Sequence, residues 1–304
     1  MTLRIDPAPP PSGMLAANLI CMASMLIWAL AFPAADLLLK SIAPLPLAAL
    51  RMVLATAFLL PLWARQDGLA TLCGAPWRKG LFVGGIGFGI GAYLLLFAQS
   101  RTDAVTVAII AATMPVVGIL LERVHSRRPM RARLIVGLAL SLVGGMYAYF
   151  SQIGAFTVGL GAVAAFTSVA IFSWGSQRTV VDFPQLSNLG RTTITCAGAA
   201  GVLLLTWAIS AASGAAPTDW SRVGLAEIGA LAIYGFGSLA ISQLLWLVGV
   251  ERLGLGVASM HINAAPFYVM IFAVMAGGPW NWAQATGATI VILGVLIAQG
   301  RFRA

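Results

Sequence analysis

The sequence predicts an all-α integral membrane protein, with ten transmembrane helices that form two inverted five-helix repeats around a central cavity. Three observations support this prediction: an apolar composition, ten apolar runs, and spacings in the first half that return in the second. Of the residues, 60% are hydrophobic and 9% are charged, whereas soluble domains have about 25% charged residues. A β-barrel would instead show short segments of alternating polarity.

The length of 304 residues accommodates ten helices of about 20 residues each with short connections. A cleaved signal peptide is disfavoured, because Asp6 and a run of prolines make a poor basic start. The predicted spans are 15–35, 44–63, 79–99, 104–121, 132–150, 156–177, 187–210, 224–248, 254–276 and 281–300.

Spacings of the first half return in the second. Arg101 precedes Pro115 by fourteen residues, and Arg252 precedes Pro266 by the same number, at an offset of 151 between the halves. Glycines of the third and eighth runs repeat at this offset as well, which indicates two copies of one unit. The predicted boundaries are 1–13 for a disordered cytoplasmic tail, 14–150 for the first repeat and 151–304 for the second.

The basic residues predict the orientation. With the N-terminus inside, thirteen Lys and Arg residues fall in cytoplasmic segments and three in outer ones, so both termini are predicted to be cytoplasmic. Five spans per half is an odd number, so the second repeat would enter the membrane from the opposite side. We therefore expect a multi-pass protein of the plasma membrane, which is the inner membrane of a bacterial cell.

Several motifs resemble the EamA family of the drug/metabolite transporter superfamily. They are Trp28-Ala29, Leu50-Arg51-Met52, Thr113-Met114-Pro115-Val116, Glu122-Arg123, Trp174-Gly175, Arg191 and Ala265-Pro266-Phe267. The chain departs from the family pattern after the ninth span, where Gly277-Gly278-Pro279-Trp280 replaces an acidic-basic pair. The resemblance implies two five-helix repeats and small-molecule transport. Length and aromatic-rich helices are most similar to bacterial exporters of aromatic amino acids.

Helix-breaking residues are candidates for gating. Pro115 and Pro266 are predicted near the middle of the fourth and ninth helices, where proline frees backbone carbonyls and kinks a helix. Such breaks often border a transporter cavity, although a kink that only improves packing is an equal alternative. Gly85 and Gly89 of the third helix have the spacing of close helix contacts, and a sliding surface is a second interpretation.

Polar side chains within the apolar spans are candidates for substrate binding, because they are costly in a membrane unless they are partnered. They are Gln243, His261 and Asn263. His261 could bind a carboxylate or exchange a proton, and the alternative is a neutral histidine satisfied by a neighbouring helix. Arg51 and Arg191 are predicted to bond carbonyl groups of adjacent helices, with substrate carboxylate recognition as the alternative.

Aromatic side chains recur on the spans that are predicted to line the cavity. They are Trp28, Phe32, Tyr93, Phe97, Trp174, Tyr234, Trp246 and Tyr268. Several lie where interfacial Trp and Tyr belts also occur, so we expect a few of them to contact a ring-bearing substrate. No Asp or Glu lies in the middle of a span, which favours uncoupled, facilitated transport.

These features predict an exporter of small amphipathic metabolites, including aromatic amino acids, that works by alternating access. The alternatives are export of drugs, purine derivatives or other metabolites, with proton coupling through His261. An intramembrane enzyme is disfavoured, since HExxH, GxSxG and a carboxylate pair are absent from the sequence. Three cysteines without a motif predict no metal or cofactor, and scattered basic residues predict no nucleic-acid partner. The lipid bilayer and a small molecule are the expected partners of a monomer or weak dimer.

Overall fold

The computed structural model describes residues 11–101, 107, 110–111, 113–126, 132–150, 160–214, 218, 220–275, 280 and 282–298. This part of the chain is helical and contains no strand, which confirms the all-α prediction. The helices are α1 (Pro11–Ala29 and Ala31–Leu38), α2 (Pro44–Asp67), α3 (Trp77–Gly84, Gly85–Ile90 and Gly91–Arg101), α4 (Met114–Ser126), α5 (Ala132–Phe150), α6 (Leu160–Asp182), α7 (Asn188–Ala212), α8 (Leu225–Ala232, Ile233–Ile241 and Ser242–Leu253), α9 (Leu255–Ser259, Met260–Ala264 and Ala265–Met275) and α10 (Trp282–Ala298). Two short helices, Leu69–Cys73 and Trp220–Arg222, lie in connections.

Five helical stretches of the described chain are long and apolar enough to cross a membrane. They are Gly13–Leu38, Pro44–Asp67, Trp77–Arg101, Asn188–Ala212 and Leu225–Leu253. Helical residues also occur in every other predicted span, although the number of membrane crossings stays a prediction. The first helix begins at Pro11, inside the predicted 1–13 tail, because proline suits the first turn of a helix. Residues 1–10 lie outside the described part.

The contacts between helices follow one pattern in both halves. The contact between α3 and α6 corresponds to the contact between α8 and α1. In the same way, the contact between α3 and α7 corresponds to the contact between α8 and α2. The contact of α4 with α6 corresponds in the same way to that of α9 with α1. Each contact thus recurs when every helix of the first half is exchanged for the helix five places later, and the reverse for the second half. This is expected of two copies of one unit. The inverted relation of the copies stays a prediction.

Helices α3 and α8 both widen into a π-helix at an equivalent position. The π-helical segments are Gly85–Ile90 and Ile233–Ile241, and they end eleven residues before Arg101 and Arg252, respectively. Turns of this kind often occur at functional sites, because they change which side chains a helix presents to its neighbours. Both segments contain the sequence Gly-Phe-Gly.

Glycines allow α3 to approach α6 and α7 closely. A Cβ atom on Gly87 would lie 2.5 Å from the Cα atom of Gly175 on α6, so the two backbones are in contact. The predicted gating glycines Gly85 and Gly89 lie in the π-helix, and Cβ atoms there would meet Val202 and Ala199 of α7. These two glycines therefore face α7, where small residues permit close packing.

The two prolines begin helical segments and do not interrupt them. Pro115 is the second residue of α4, and Pro266 is the second residue of Ala265–Met275. A 3-10 segment, Met260–Ala264, directly precedes the latter. The first turn of a helix tolerates proline because its N–H would have no intrahelical partner. The helix break thus lies before Pro266 and not at it, whereas the side chain of Pro266 lies outside the described part.

The contact between Gly87 and Gly175 provides a test of the packing. Gly175→Ala should lower the melting temperature of the detergent-solubilised protein, because the added methyl group forces α3 and α6 apart at a cost of about 1–3 kcal/mol. Gly229→Ala on α8 is the matched control, since nothing lies within 4 Å of its Cβ position. An equal melting temperature for Gly175→Ala and the wild type would contradict the contact.

Candidate functional site

A cavity lies between the two halves of the protein. Its walls come from α1, α2, α3, α6, α8 and α9 and from the residues around the start of α4, and it encloses about 730 Å³ including its open mouth. Sites for small molecules are typically concave and mostly apolar, with a few polar groups. The lining residues are Met25, Trp28, Arg51, Met52, Phe88, Gly91, Ala92, Leu95, Ala111, Met114, Ser168, Val169, Phe172, Ser238, Leu239, Ser242, Gln243, Trp246 and Ile262.

One wall of the cavity is aromatic. The rings of Phe172 and Trp246 lie 6.2 Å apart between centroids, and Phe88 contacts Phe172 edge-on at 5.3 Å. Trp246 is held in place because its Nε1–H donates to the hydroxyl of Ser176 at 2.9 Å. The wall is therefore a fixed apolar surface on which a planar or aliphatic group of a ligand can pack.

Arg51 is the charged residue of the described lining. Its side chain is buried, and its Nη1 and Nη2 groups donate to the Tyr234 hydroxyl at 3.2 Å and to the Ser238 carbonyl at 3.3 Å. The guanidinium carbon lies 4.2 Å from the centre of the Tyr234 ring, within the range of a cation–π contact. These partners are all neutral, so no ion pair with another described residue compensates the charge in the cavity wall.

A smaller pocket of about 240 Å³ adjoins the cavity and shares Trp28, Arg51 and Leu95 with it. Its wall includes Gln99, whose Nε2 group donates to the carboxylate of Asp36 at 2.7 Å. Arg51 thus lies between the two spaces.

Serine hydroxyls of α1 and α6 join the two halves beside the cavity. Ser24 of α1 donates to the carbonyl of Ser242 at 2.8 Å, and Ser168 of α6 donates to the carbonyl of Gly91 at 2.7 Å. Gly91 and Ser242 are 151 positions apart, the offset of the repeats. These hydroxyl hydrogens are directed at backbone carbonyls, so they are not free to bind a ligand.

The polar residues of α9 lie outside the cavity lining. His261 is buried, with Nδ1 at 3.1 Å from the carbonyl oxygen of Ala258 and Nε2 at 3.0 Å from Oδ1 of Asn18. Asn263 is 1% exposed, and neither atom of its amide has a partner among the described residues. The 3-10 segment before Pro266 therefore carries a buried polar cluster between α1 and α9.

Arg191 lies in a different environment from Arg51. Its Nη1 group bonds Oε1 of Glu251 at 2.6 Å, and its Nε group donates to the carbonyl of Phe183 at 2.8 Å. A further bond reaches the carbonyl of Pro184. Arg191 thus ties the start of α7 to the preceding turn and to the end of α8, away from the cavity.

The structure brings some of the predicted site residues together and separates others. The cavity is lined by Trp28, Arg51, Gln243 and Trp246. The smaller pocket is lined by Trp28, Phe32, Arg51 and Tyr234. The linings do not include Tyr93, Phe97, Trp174, Tyr268, His261, Asn263, Arg191, Gly85, Gly89 and Pro115. Of these, Trp174 contacts Phe82, and Tyr93 contacts Phe97.

Sequence reasoning missed fifteen of the nineteen lining residues. They include Met25, Met52, Phe88, Phe172, Ser168, Ser238 and Ser242. The alignment of Ser242 with Gly91 at the repeat offset of 151 was a usable signal, because both are small residues of the third and eighth helices. The methionines and phenylalanines carry no such signal. Among the described residues, no cluster of His, Cys, Asp and Glu side chains could hold a metal ion.

Two stretches of the chain, residues 15–150 and 157–299, match the sequence profile of the EamA-like transporter family. The chain belongs to this family. It is 26% identical over 223 residues to the uncharacterized transporter YyaM of Bacillus subtilis (strain 168), covering 71% of this chain and 70% of that protein. A solved crystal structure shares the fold, with a TM-score of 0.78 and 21% identity, over 95% of this chain and 97% of the other. This EamA protein is therefore a multi-pass membrane transporter that contains the family unit twice.

The buried amide of Asn263 provides a stability test. Asn263→Leu should raise the melting temperature, because it removes polar atoms whose burial without a partner costs about 1–3 kcal/mol. Asn18→Leu should lower it, since that change removes the oxygen atom facing His261. A lower melting temperature for Asn263→Leu than for the wild type would show that its amide has partners after all.

Proposed function

We propose that the protein exports small amphipathic metabolites, with amino acids that include aromatic ones as cargo. The supporting observation is the cavity between the two repeats, which is largely apolar and has an aromatic wall around Trp28, Phe172 and Trp246. A ring packs well against such a wall, and Arg51 and Gln243 offer polar contacts beside it.

Alternating access is the proposed mechanism. The packing interface between α1 and α8 is equivalent to the one between α3 and α6, and both interfaces border the cavity. We call these two interfaces seams. If the repeats are inverted as proposed, one of these equivalent seams opens while the other closes. The small residues Gly87 and Gly175 make one of these seams a close backbone contact.

We propose that transport is driven by the substrate gradient and is not coupled to protons. The reason is that the described cavity lining contains no Asp or Glu that could carry a proton. Proton coupling through His261 is the second candidate. Both of its ring nitrogens face acceptor oxygens, on Ala258 and Asn18, and only the protonated ring donates from both nitrogens. Drugs and purine derivatives are the alternative cargo, and multivalent cations are disfavoured by Arg51 in the cavity wall.

A transport assay with a matched pair of tryptophans tests the role of the cavity. Purified protein in liposomes should move aromatic amino acids with saturable kinetics, and Trp28→Ala should reduce this flux about tenfold, since it removes a large contact surface from the cavity. Trp174→Ala is the control, because Trp174 occupies the equivalent position of the second repeat and lies outside the lining. Equal losses for both variants, or no flux across an amino-acid panel, would refute the proposal.

The response to a pH gradient decides between the two mechanisms. We expect an imposed gradient to leave the flux of a substrate unchanged, because the described part of the cavity lining contains no carboxylate that could bind a proton. If the gradient accelerated flux in the wild type but not in His261→Gln, proton coupling through His261 would replace the uncoupled mechanism. The melting temperature of His261→Gln provides the control for folding.

A further inference from the structure

We propose that Arg51 binds a carboxylate of the transported molecule and that Gln243 donates a second hydrogen bond to it. The substrate class that follows is an organic acid with one negative charge and a ring-sized apolar body, for which an ammonium group is not required. This inference rests on the proposed function, since it assigns a ligand to the same cavity.

The guanidinium of Arg51 has unused donors. The side chain is 4% exposed, and of its five N–H groups one bonds the Tyr234 hydroxyl and one the Ser238 carbonyl. The Nε group is buried and has no partner among the described residues. The ring of Tyr234 and the two bonds hold the guanidinium plane in one position, and the remaining N–H donors of a planar guanidinium are suited to a carboxylate.

Gln243 supplies a second donor to the same cavity. It is 5% exposed, and its Nε2 group is also buried without a partner in the described part of the chain. It lies on α8 five residues after Ser238, the residue that accepts from Arg51, and both Gln243 and Arg51 line the cavity. The proposed carboxylate lies between these two donors and accepts from both.

The charge of the cavity favours an acid over an amine. The described lining contains Arg51 and no acidic residue, and a buried charge without a counter-ion is unfavourable. A carboxylate would supply that counter-ion, whereas an ammonium group would meet a charge of its own sign. The hydroxyls of Ser168 and Ser238 are neutral, so they give an ammonium group acceptor oxygens but no counter-ion.

A series of four ligands tests the inference on the wild-type protein by calorimetry in detergent. The ligands are 3-phenylpropionate, phenylalanine, phenethylamine and 3-phenylpropanol, which share a ring and differ in charge. We expect 3-phenylpropionate to bind about tenfold more tightly than the alcohol, phenylalanine no more tightly than the acid, and phenethylamine most weakly. Equal binding of the amine and the acid, or tighter binding of phenylalanine than of the acid, would overturn the proposal.

Two variants locate the carboxylate. Gln243→Leu should weaken binding of 3-phenylpropionate about fivefold through loss of one hydrogen bond and leave binding of the alcohol less affected. Gln177→Leu is the control, because Gln177 is also 5% exposed but does not line the cavity. Arg51→Lys keeps the charge and removes the planar guanidinium donors. It should therefore also weaken binding of 3-phenylpropionate more than binding of the alcohol. If 3-phenylpropionate bound with equal affinity to the wild type, Gln243→Leu and Arg51→Lys, neither residue would bind the carboxylate and the proposal would be wrong.

Failure of the inference and failure of the proposed function have different signatures. Acid-selective binding without flux in liposomes would leave the binding site in place and refute transport of these compounds. Flux of phenylalanine at the same rate as the alcohol and the amine would keep the transport function and overturn carboxylate recognition. Transport is thus measured in liposomes, and recognition is measured independently at equilibrium.

Discussion

The buried guanidinium of Arg51 is the interaction on which the arrangement of the cavity depends. An arginine in an apolar environment must have its donors satisfied, and here the oxygen atoms come from α8, which belongs to the other repeat. Tyr234 and Ser238 lie one turn apart within the π-helix Ile233–Ile241, so this segment presents a hydroxyl and a carbonyl to the same group. The bond joins the two halves beside the cavity and places a positive charge in its wall.

The two repeats share a scaffold but not its polar groups. Equivalent helix contacts, π-helices and serine-to-carbonyl bonds occur in both halves. In contrast, Arg191 has a carboxylate partner in Glu251, whereas Arg51 has neutral partners. His261 bonds across to α1, while the residue 151 positions earlier is Ile110. Repetition thus determines how the helices pack, and substitutions in single copies determine the chemistry of the site.

The pair of tryptophans shows why residue type was a poor guide to the site. Trp28 and Trp174 occupy equivalent motifs, and from sequence both were equal candidates. In the structure Trp28 lines the cavity, whereas Trp174 packs against Phe82. A similar separation distinguishes Gln243 in the lining from His261 and Asn263 outside it. The burial of polar residues was predictable, but the space that each one faces was not.

The sequence by itself determined that this is an all-α membrane protein made of two related units, because apolar composition and repeated spacings are properties of the chain alone. It also identified Arg51, Gln243, Trp28 and Trp246 as candidates, since polar and aromatic groups are conspicuous in apolar spans. Only the tertiary structure decided which faces meet the cavity. Helices that are apolar on all sides carry no periodic signal for orientation, so the position of Phe172 or Met52 depends on contacts between distant segments.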